Sequence, residues 1–439
     1  MNIIKRKAEK KLEDWYRNRP DKHLYVTGLR GTGKSTLIRR FADSLPDKYI
    51  YIDFETDNGI RTYFREHFNN DIISALSGYT GEGVVFFPGM ILILDEIHMT
   101  GIGKDILASL SALDNIRVIL IDSEGVTADE LVPADISRII LRPLTFDEFL
   151  DNTSKEWYKE VIIGHYEKMR SVPSLINNEI KDIFDDYLTV GGMPDVVNWY
   201  TANDCNITDI NELIRLQLKE YRNIIRAVQE AEHSDCSKMT AILEGIIGQD
   251  INGNRHFAYG RVVKGSSGSY YTDIVNKMVN AGLICRSRFE AHFRLFWADT
   301  GLLNAYMLSS YSISDTDLER ILNTSYLAQQ LTSAVSISSY TSISSDTSIT
   351  SDASITSGLR DLQYWCSENS SEIDQIAFID DNSRRLAVKY IGASKKKVRS
   401  LQIYSEQFPE DNPVAVGDVD FNIMGNLKLI PQYAVFCLI

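Results

Sequence analysis

The nine residues Gly28-Leu29-Arg30-Gly31-Thr32-Gly33-Lys34-Ser35-Thr36 constrain this chain more than any other segment. They follow a short apolar run, Leu24-Tyr25-Val26-Thr27, and lead into an amphipathic stretch from Leu37 to Leu45 that ends at Pro46. A glycine-rich GxxxxGK[ST] turn between a buried strand and a helix is a phosphate cradle. Its glycines let backbone N–H groups of Gly28, Gly31, Thr32, Gly33, Lys34, Ser35 and Thr36 wrap an anion at the positive end of the helix. Lys34 is then placed for the β- and γ-phosphates of a nucleotide, and the Ser35 hydroxyl for Mg²⁺. A plain glycine turn opening a helix is the alternative, and the flanking strand and helix weigh against it.

A second element supports the cradle. Met90-Ile91-Leu92-Ile93-Leu94 is apolar without interruption, as a central strand of a parallel sheet covered on both faces must be. It ends in Asp95-Glu96. An acid at that tip is suited to hold Mg²⁺, which assigns Asp95, and Glu96 is suited to orient and deprotonate an attacking water. Solvated acids at a strand end are the alternative. Tyr49-Ile50-Tyr51-Ile52, Val118-Ile119-Leu120-Ile121 and Ile139-Ile140-Leu141 read as further strands of the same sheet. Ser123 or Asp122, where the strand after the acidic pair ends, is a candidate γ-phosphate sensor, with a polar strand cap as the alternative. Arg138 and Arg142 are candidates for a charge-neutralising arginine, or for simple pairing with acids.

Composition narrows the class. A chain of 439 residues exceeds one core, so two to four domains are expected. Hydrophobic residues at 44% and charged residues at 24% fit a soluble globular chain. A net charge of −14 argues against indiscriminate coating of nucleic acid, while leaving room for a local basic surface. The five cysteines show no CxxC pair or metal-ligand spacing, so free thiols are expected. Met1 to Lys7 have no apolar stretch behind their charges, and no apolar run approaches the ~20 residues of a membrane span, so a cytoplasmic location is expected.

Three further landmarks carry a resemblance: Pro143-Leu144-Thr145-Phe146-Asp147-Glu148-Phe149-Leu150, Tyr187-Leu188-Thr189-Val190-Gly191-Gly192-Met193-Pro194, and Trp297-Ala298-Asp299-Thr300-Gly301-Leu302-Leu303. With the phosphate cradle, the chain resembles bacterial and archaeal AAA+ ATPases that end in the "domain of unknown function 4143", a module similar to PD-(D/E)xK nucleases. The resemblance runs to Ile430-Pro431-Gln432-Tyr433. It implies an α/β fold with a P-loop parallel-sheet core over 1–150, a helical lid over 151–226, a winged helix over 227–305, and a nuclease-like α/β domain over 306–439. ATP and Mg²⁺ are the implied cofactors. The resemblance implies nucleotide roles for Lys34, Ser35, Asp95 and Glu96. With the motif reading, the expected nucleotide-binding set is Gly28, Gly31, Thr32, Gly33, Lys34, Ser35, Thr36, Asp95 and Ser123, the expected metal ligands Ser35 and Asp95, and the expected catalytic residues Glu96 and Lys34. The chain departs from such relatives where they carry Gly-Arg, offering Asp135 and then Ile136-Ser137-Arg138, which leaves the arginine unassigned.

In the expected winged helix, Met239 to Ile247 supplies one helix and Tyr270 to Met278 the candidate recognition helix. Gly282 to Arg286 and Phe293 to Trp297 would be the wing. Residues 226–305 carry nine Lys/Arg against eight acids, and Arg255, Arg261, Lys264, Arg286 and Arg288 are placed to share one face. Contact with DNA and docking of a protein partner both stay open. The repeat from Ser336 to Gly358, with Ile337, Ile343, Ile349 and Ile355 in register, has too little apolar surface to offset chain ordering, so it reads as a low-complexity insert or a short β-coil. In the last domain Glu372, Asp374 and Lys389 stand where relatives place nuclease residues, but Thr324 and Ala387 replace two acids. A retained fold without cleavage is expected, with Lys395, Lys396, Lys397 and Arg399 as a possible phosphate-contacting or solvated run. The leading expectation is an ATPase acting on a protein or DNA partner. A nucleotide-gated binding module and an ATP-regulated nuclease are the rivals.

Overall fold

The computed structural model describes residues 3–18, 23–81, 90–113, 116–123, 136–232, 236–254, 256–262, 268–338, 361–367, 371–378, 385–392 and 398–439. Most of the 336–358 repeat therefore lies outside the described residues, as do Arg255, Lys264 and Lys395 to Lys397.

The amino-terminal sheet is parallel throughout. Its strands are β1 (Leu24–Thr27), β2 (Tyr49–Asp53), β3 (Ile91–Asp95), β4 (Arg117–Asp122) and β5 (Ser137–Ile140), in the order β2-β3-β4-β1-β5. The central strands are apolar because both faces are covered. On one face α1 (Ala8–Asn18) and α2 (Lys34–Asp43) pack Leu12, Trp15, Leu37 and Ile38 against Val26, Ile93 and Ile121. On the other, α3 (Asn58–His67), α4 (Ile72–Thr80) and α5 (Gly103–Ser109) bring Phe64, Ile72 and Ile106 against Tyr25, Leu92 and Leu120. Each expected strand of the core is present, and the mixed α/β architecture is as read from the sequence.

Helices come next along the chain: α6 (Phe146–Asn152), α7 (Glu156–Lys168), α8 (Ser174–Val190), α9 (Pro194–Ala202), α10 (Ile210–Glu232), α11 (Cys236–Ile251) and α12 (Gly268–Asn280). After the hairpin β6 (Ile284–Phe289) and β7 (His292–Trp297) come α13 (Thr300–Ser310) and α14 (Asp315–Ser338). The carboxyl-terminal elements are β8 (Leu362–Cys366), β9 (Glu372–Phe378), β10 (Arg385–Tyr390), α15 (Arg399–Gln407), β11 (Asn412–Gly417), β12 (Asn422–Met424) and β13 (Leu427–Pro431). These strands form one eight-stranded sheet, β12-β13-β11-β10-β9-β8-β6-β7. The expected wing hairpin thus shares a sheet with the carboxyl-terminal strands, joined by parallel pairing of Ser287 with Leu362 and Arg288 with Gln363. Local sequence could not show this, since the paired segments are far apart in the chain. Among the described residues no helix is long and apolar enough to cross a membrane, and Cys205, Cys285, Cys366 and Cys437 are free thiols.

Two buried joints tie the core to the later helices. In the first, the Leu144 amide donates to the Gly192 carbonyl at 2.7 Å, and a Cβ on Gly192 would stand 2.3 Å from the Leu144 oxygen. Only glycine allows that approach. Asp299 accepts from the Gly192 amide at 2.7 Å and the Leu302 amide at 2.8 Å, and the Tyr187 hydroxyl donates to the Leu144 carbonyl at 2.8 Å. The three landmark segments therefore meet at one place, as structure. In the second joint, buried Arg6 spreads its guanidinium over three acceptors. Nη1 donates to the Thr32 carbonyl at 2.9 Å, Nη2 to the Arg142 carbonyl at 2.6 Å, and Nε to Glu148 at 3.2 Å. Glu148 also closes the capping box of α6 with Thr145. Burial pushes the Glu148 carboxyl up, but Arg6 and the Lys7 and Thr145 amides outweigh it and hold it below the ordinary range.

Each joint gives a prediction. Arg6→Ala leaves Glu148 buried without its guanidinium and is expected to cost about 3–5 kcal/mol, with Arg6→Ala/Glu148→Ala costing less than the sum of the two single changes; additive losses in thermal unfolding would count against the pairing. Asp299→Ala strands two buried amides at about 1–3 kcal/mol each. Burial raises the Asp299 carboxyl to about 6, against the pull of the Leu302 and Gly192 amides. The folded chain then holds a proton that the unfolded chain releases, so wild type should gain stability relative to Asp299→Asn as pH falls from 7 to 5. Scanning calorimetry at both pH values checks the sign.

Candidate nucleotide-binding site

The P-loop leaves β1 and enters α2 through three glycines in conformations that other residues rarely adopt. Gly28, Gly31 and Gly33 have φ of 146°, 84° and 88°. A Cβ on Gly28 would sit 2.0 Å from the Leu141 carbonyl beside the end of β5. The loop can pass β5 only because that position carries no side chain.

Lys34 is buried and turned into the loop. Its Nζ donates to the carbonyls of Gly28 (2.9 Å) and Leu29 (3.1 Å) and to the Ser123 hydroxyl (2.9 Å). Ser123 in turn gives its hydroxyl (2.5 Å) and amide (3.0 Å) to the two carboxylate oxygens of Glu96. Burial lowers the Lys34 ammonium from its ordinary range, while Glu96, Asp122 and Asp95 pull it back. Glu96 is a non-glycine residue with φ 55°, an uncommon conformation held by these bonds. His98 Nδ1 lies 3.3 Å from Glu96 and 2.9 Å from Asp122, and Asp122 accepts from Tyr25 at 2.6 Å. Of the two candidate sensors, Ser123 therefore contacts Lys34 and Glu96, while Asp122 faces Tyr25 and His98.

Asp95 lies at the tip of β3, next to Ser35. Burial and then the Glu96 charge raise its carboxyl, while the Tyr51 and Ser35 hydroxyls lower it. Tyr51 donates to Oδ2, and among the described residues the buried Oδ1 has no hydrogen bond of ordinary geometry. An orphaned carboxylate oxygen beside a serine hydroxyl, below a glycine-rich loop, fits a nucleotide with Mg²⁺. Thr36 is exposed on α2 and Thr32 is buried, its hydroxyl donating to the Leu29 carbonyl at 2.7 Å.

Residues outside the P-loop and the acidic strand end adjoin the site. Met193 and Glu220 side-chain atoms would lie 3.0 and 3.2 Å from a Cβ on Gly31, and Pro194 3.8 Å from one on Gly33, so the Gly191–Pro194 turn and α10 abut the loop. Arg6 holds the loop from behind through Thr32. None of Arg6, Tyr51, His98 or Glu220 is marked by a local pattern, because each contact joins distant stretches of chain. Glu148, Met193 and Pro194 lie in the landmark segments, which did not show what these side chains would meet. The two candidate arginines are both buried. Arg138 lies 5.9 Å over the Tyr25 ring, and the Arg142 guanidinium reaches toward Gly282. Of the expected basic face, Arg261 is exposed, while Arg286 (2.8 Å) and Arg288 both bind Asp361. Glu372, Asp374, Lys389 and Thr324 line a single cavity elsewhere in the fold, and Ala387 is buried in the packing against α15.

Comparison with known proteins bears on the core. Residues 20–150 match a family model described as an AAA domain. Among solved structures, the chain is similar to the Walker-type ATPase of Pyrococcus abyssi at 16% identity and a TM-score of 0.43, covering 69% of this chain and 95% of that one. It also matches the RuvB Holliday junction branch migration motor of Thermotoga maritima (13% identity, TM-score 0.30, 71% and 96% covered). A third match is the Orc1 protein of Aeropyrum pernix solved with DNA (13% identity, TM-score 0.28, 73% and 95% covered). No curated protein matches the chain at a significant level. The P-loop and the strand carrying Asp95 and Glu96 both fall inside the segment that matches the AAA domain.

Proposed function

We propose that this chain is a Mg²⁺-dependent ATPase of the AAA+ kind whose nucleotide state is read by the helices behind its P-loop. The observation that carries the reading is the continuous contact Lys34–Ser123–Glu96 beside the orphaned Asp95 oxygen. Ser35 and Asp95 would hold Mg²⁺, which when bound supplies positive charge to the β- and γ-phosphates. Lys34 exchanges its bonds with the Gly28 and Leu29 carbonyls for phosphate oxygens. Ser123, between Lys34 and Glu96, senses the γ-phosphate. Glu96, released from Ser123, orients the attacking water and takes its proton. Met193, Pro194 and Glu220, resting on the loop glycines, carry the change into α9 and α10.

The division into a core (1–150), lid (151–226), winged helix (227–305) and nuclease-like domain (306–439) belongs to this proposal, with the hairpin and the carboxyl-terminal strands acting as one sheet. A protein or DNA partner would be moved by that assembly. Weak DNA contact through α12 and Arg261 is the second reading, and the engagement of Arg286 and Arg288 with Asp361 favours a protein partner over it.

Purified protein is expected to release phosphate from ATP with Mg²⁺ and to stop on chelation. Lys34→Ala should lose nucleotide binding. Glu96→Gln should bind ATP as wild type does and turn over about 10²-fold or more slower. Equal rates for wild type and Glu96→Gln would refute the assigned chemistry.

A further inference from the structure

A second site lies far from the P-loop in sequence. A cavity of about 370 Å³ opens among α11, β7, α14, β9, β10 and the first turn of α15. Its size is at the low end for ligand pockets, enough for one small polar molecule or the end of a longer one. Three cationic side chains line it, Arg294, Arg320 and Lys389, together with the acids Asp250, Glu372 and Asp374. The contacts decide which sign of charge the cavity offers.

Glu372 and Asp374 stand two residues apart on β9, so they project to one face. Their counter-ion is already part of the protein. Arg294 on β7 places Nη2 3.0 Å from Glu372 and Nη1 3.9 Å from Asp374, with its guanidinium 4.4 Å over the Tyr364 ring. Asp374 also accepts from the Tyr390 amide at 2.6 Å. The pair therefore orients a guanidinium, and a divalent ion would have to displace it. Lys389 is buried and, among the described residues, gives one bond, to the Glu372 carbonyl at 2.7 Å, which leaves donors for a ligand. Arg320 reaches the cavity from α14, its Nη2 donating to the Asp250 carbonyl at 2.9 Å and pairing with half-exposed Asp317 at 3.2 Å. Ser400 adds a hydroxyl in the first turn of α15, where the helix amides also favour an anion. The acids oppose less than their number suggests. Burial pushes the Asp250 carboxyl up to about 7 against the pull of Arg320 and Arg294. It raises the Asp374 carboxyl as well, Lys389 pulling the other way.

We propose that this cavity binds a phosphate monoester without a metal ion, gripped by Arg294, Arg320, Lys389 and Ser400, with Glu372 and Asp374 serving to hold Arg294 in place. A planar guanidinium braced by carboxylates is a bidentate partner for phosphate oxygens. The monoester can come from a free nucleotide or from the 5′ end of a nucleic-acid strand, and the chemistry at the cavity is the same for both.

The test uses the full-length chain in EDTA and isothermal titration calorimetry with three probes: AMP, a 5′-phosphorylated dinucleotide, and the same dinucleotide with a 5′-hydroxyl. Binding of a phosphorylated probe at least tenfold tighter than the hydroxyl form is expected, with a tenfold or greater loss in Arg320→Gln, a half-exposed position whose change spares the core. Arg294→Lys, which keeps the charge and loses the fork, should weaken binding by a similar factor. Preference for the dinucleotide over AMP identifies a strand end, and the reverse a free nucleotide. The proposal is overturned if phosphorylated and hydroxyl forms bind alike, if neither binds, or if binding requires added Mg²⁺ or Mn²⁺. Binding that Arg320→Gln leaves unchanged belongs to the P-loop and also overturns it.

Discussion

The structure turns on backbone approaching backbone where side chains would not fit. A Cβ on Gly192 would stand 2.3 Å from the Leu144 carbonyl, and one on Gly301 2.2 Å from that of Val190. Main chains this close let the end of the core bond directly to the turn after α8, Leu144 to Gly192, and Asp299 at the start of α13 fastens the junction by taking the Gly192 and Leu302 amides. Met193 and Pro194 lie on the same turn and pack beside the P-loop glycines, so the loop and helices α9 and α10 adjoin at this junction.

Burial shapes the electrostatics of the P-loop site. Lys34, Asp95, Glu96 and Asp122 are all nearly inaccessible. A cluster this dry is stable only when its charges answer one another, since unpaired buried charge is expensive. Here Ser123 bridges the one cation and Glu96, while Tyr25, Tyr51 and His98 cap the remaining acids. The bonds Lys34 makes are to its own loop and to Ser123, so among the described residues its charge meets an acid only at one remove, through Ser123 to Glu96.

The carboxyl-terminal cavity applies the same rule with a different result. Its carboxylate pair has an internal cation, Arg294, supplied from the hairpin that the shared sheet brings alongside β8 and β9. In this fold a strand far away in sequence can thus change what a pair of acids is for.

Much of the core was legible beforehand. The glycines of the P-loop, the apolar strand ending in Asp95-Glu96 and the parallel sheet follow from local pattern, because a phosphate cradle and a doubly covered strand each demand a particular run of residues. The landmark segments were visible too, but their meaning was not. Leu144, Gly192 and Asp299 are a joint, which appears only when distant segments meet. Likewise the sequence showed Glu372, Asp374 and Lys389 and the acids missing at Thr324 and Ala387, yet carried no sign of Arg294 or Arg320. The contacts Arg294–Glu372 and Arg320–Asp250 span 78 and 70 residues, and the first depends on the hairpin joining the carboxyl-terminal sheet. Local chemistry is written in neighbouring residues, whereas charge balance inside a cavity is set by whichever segments the fold brings together.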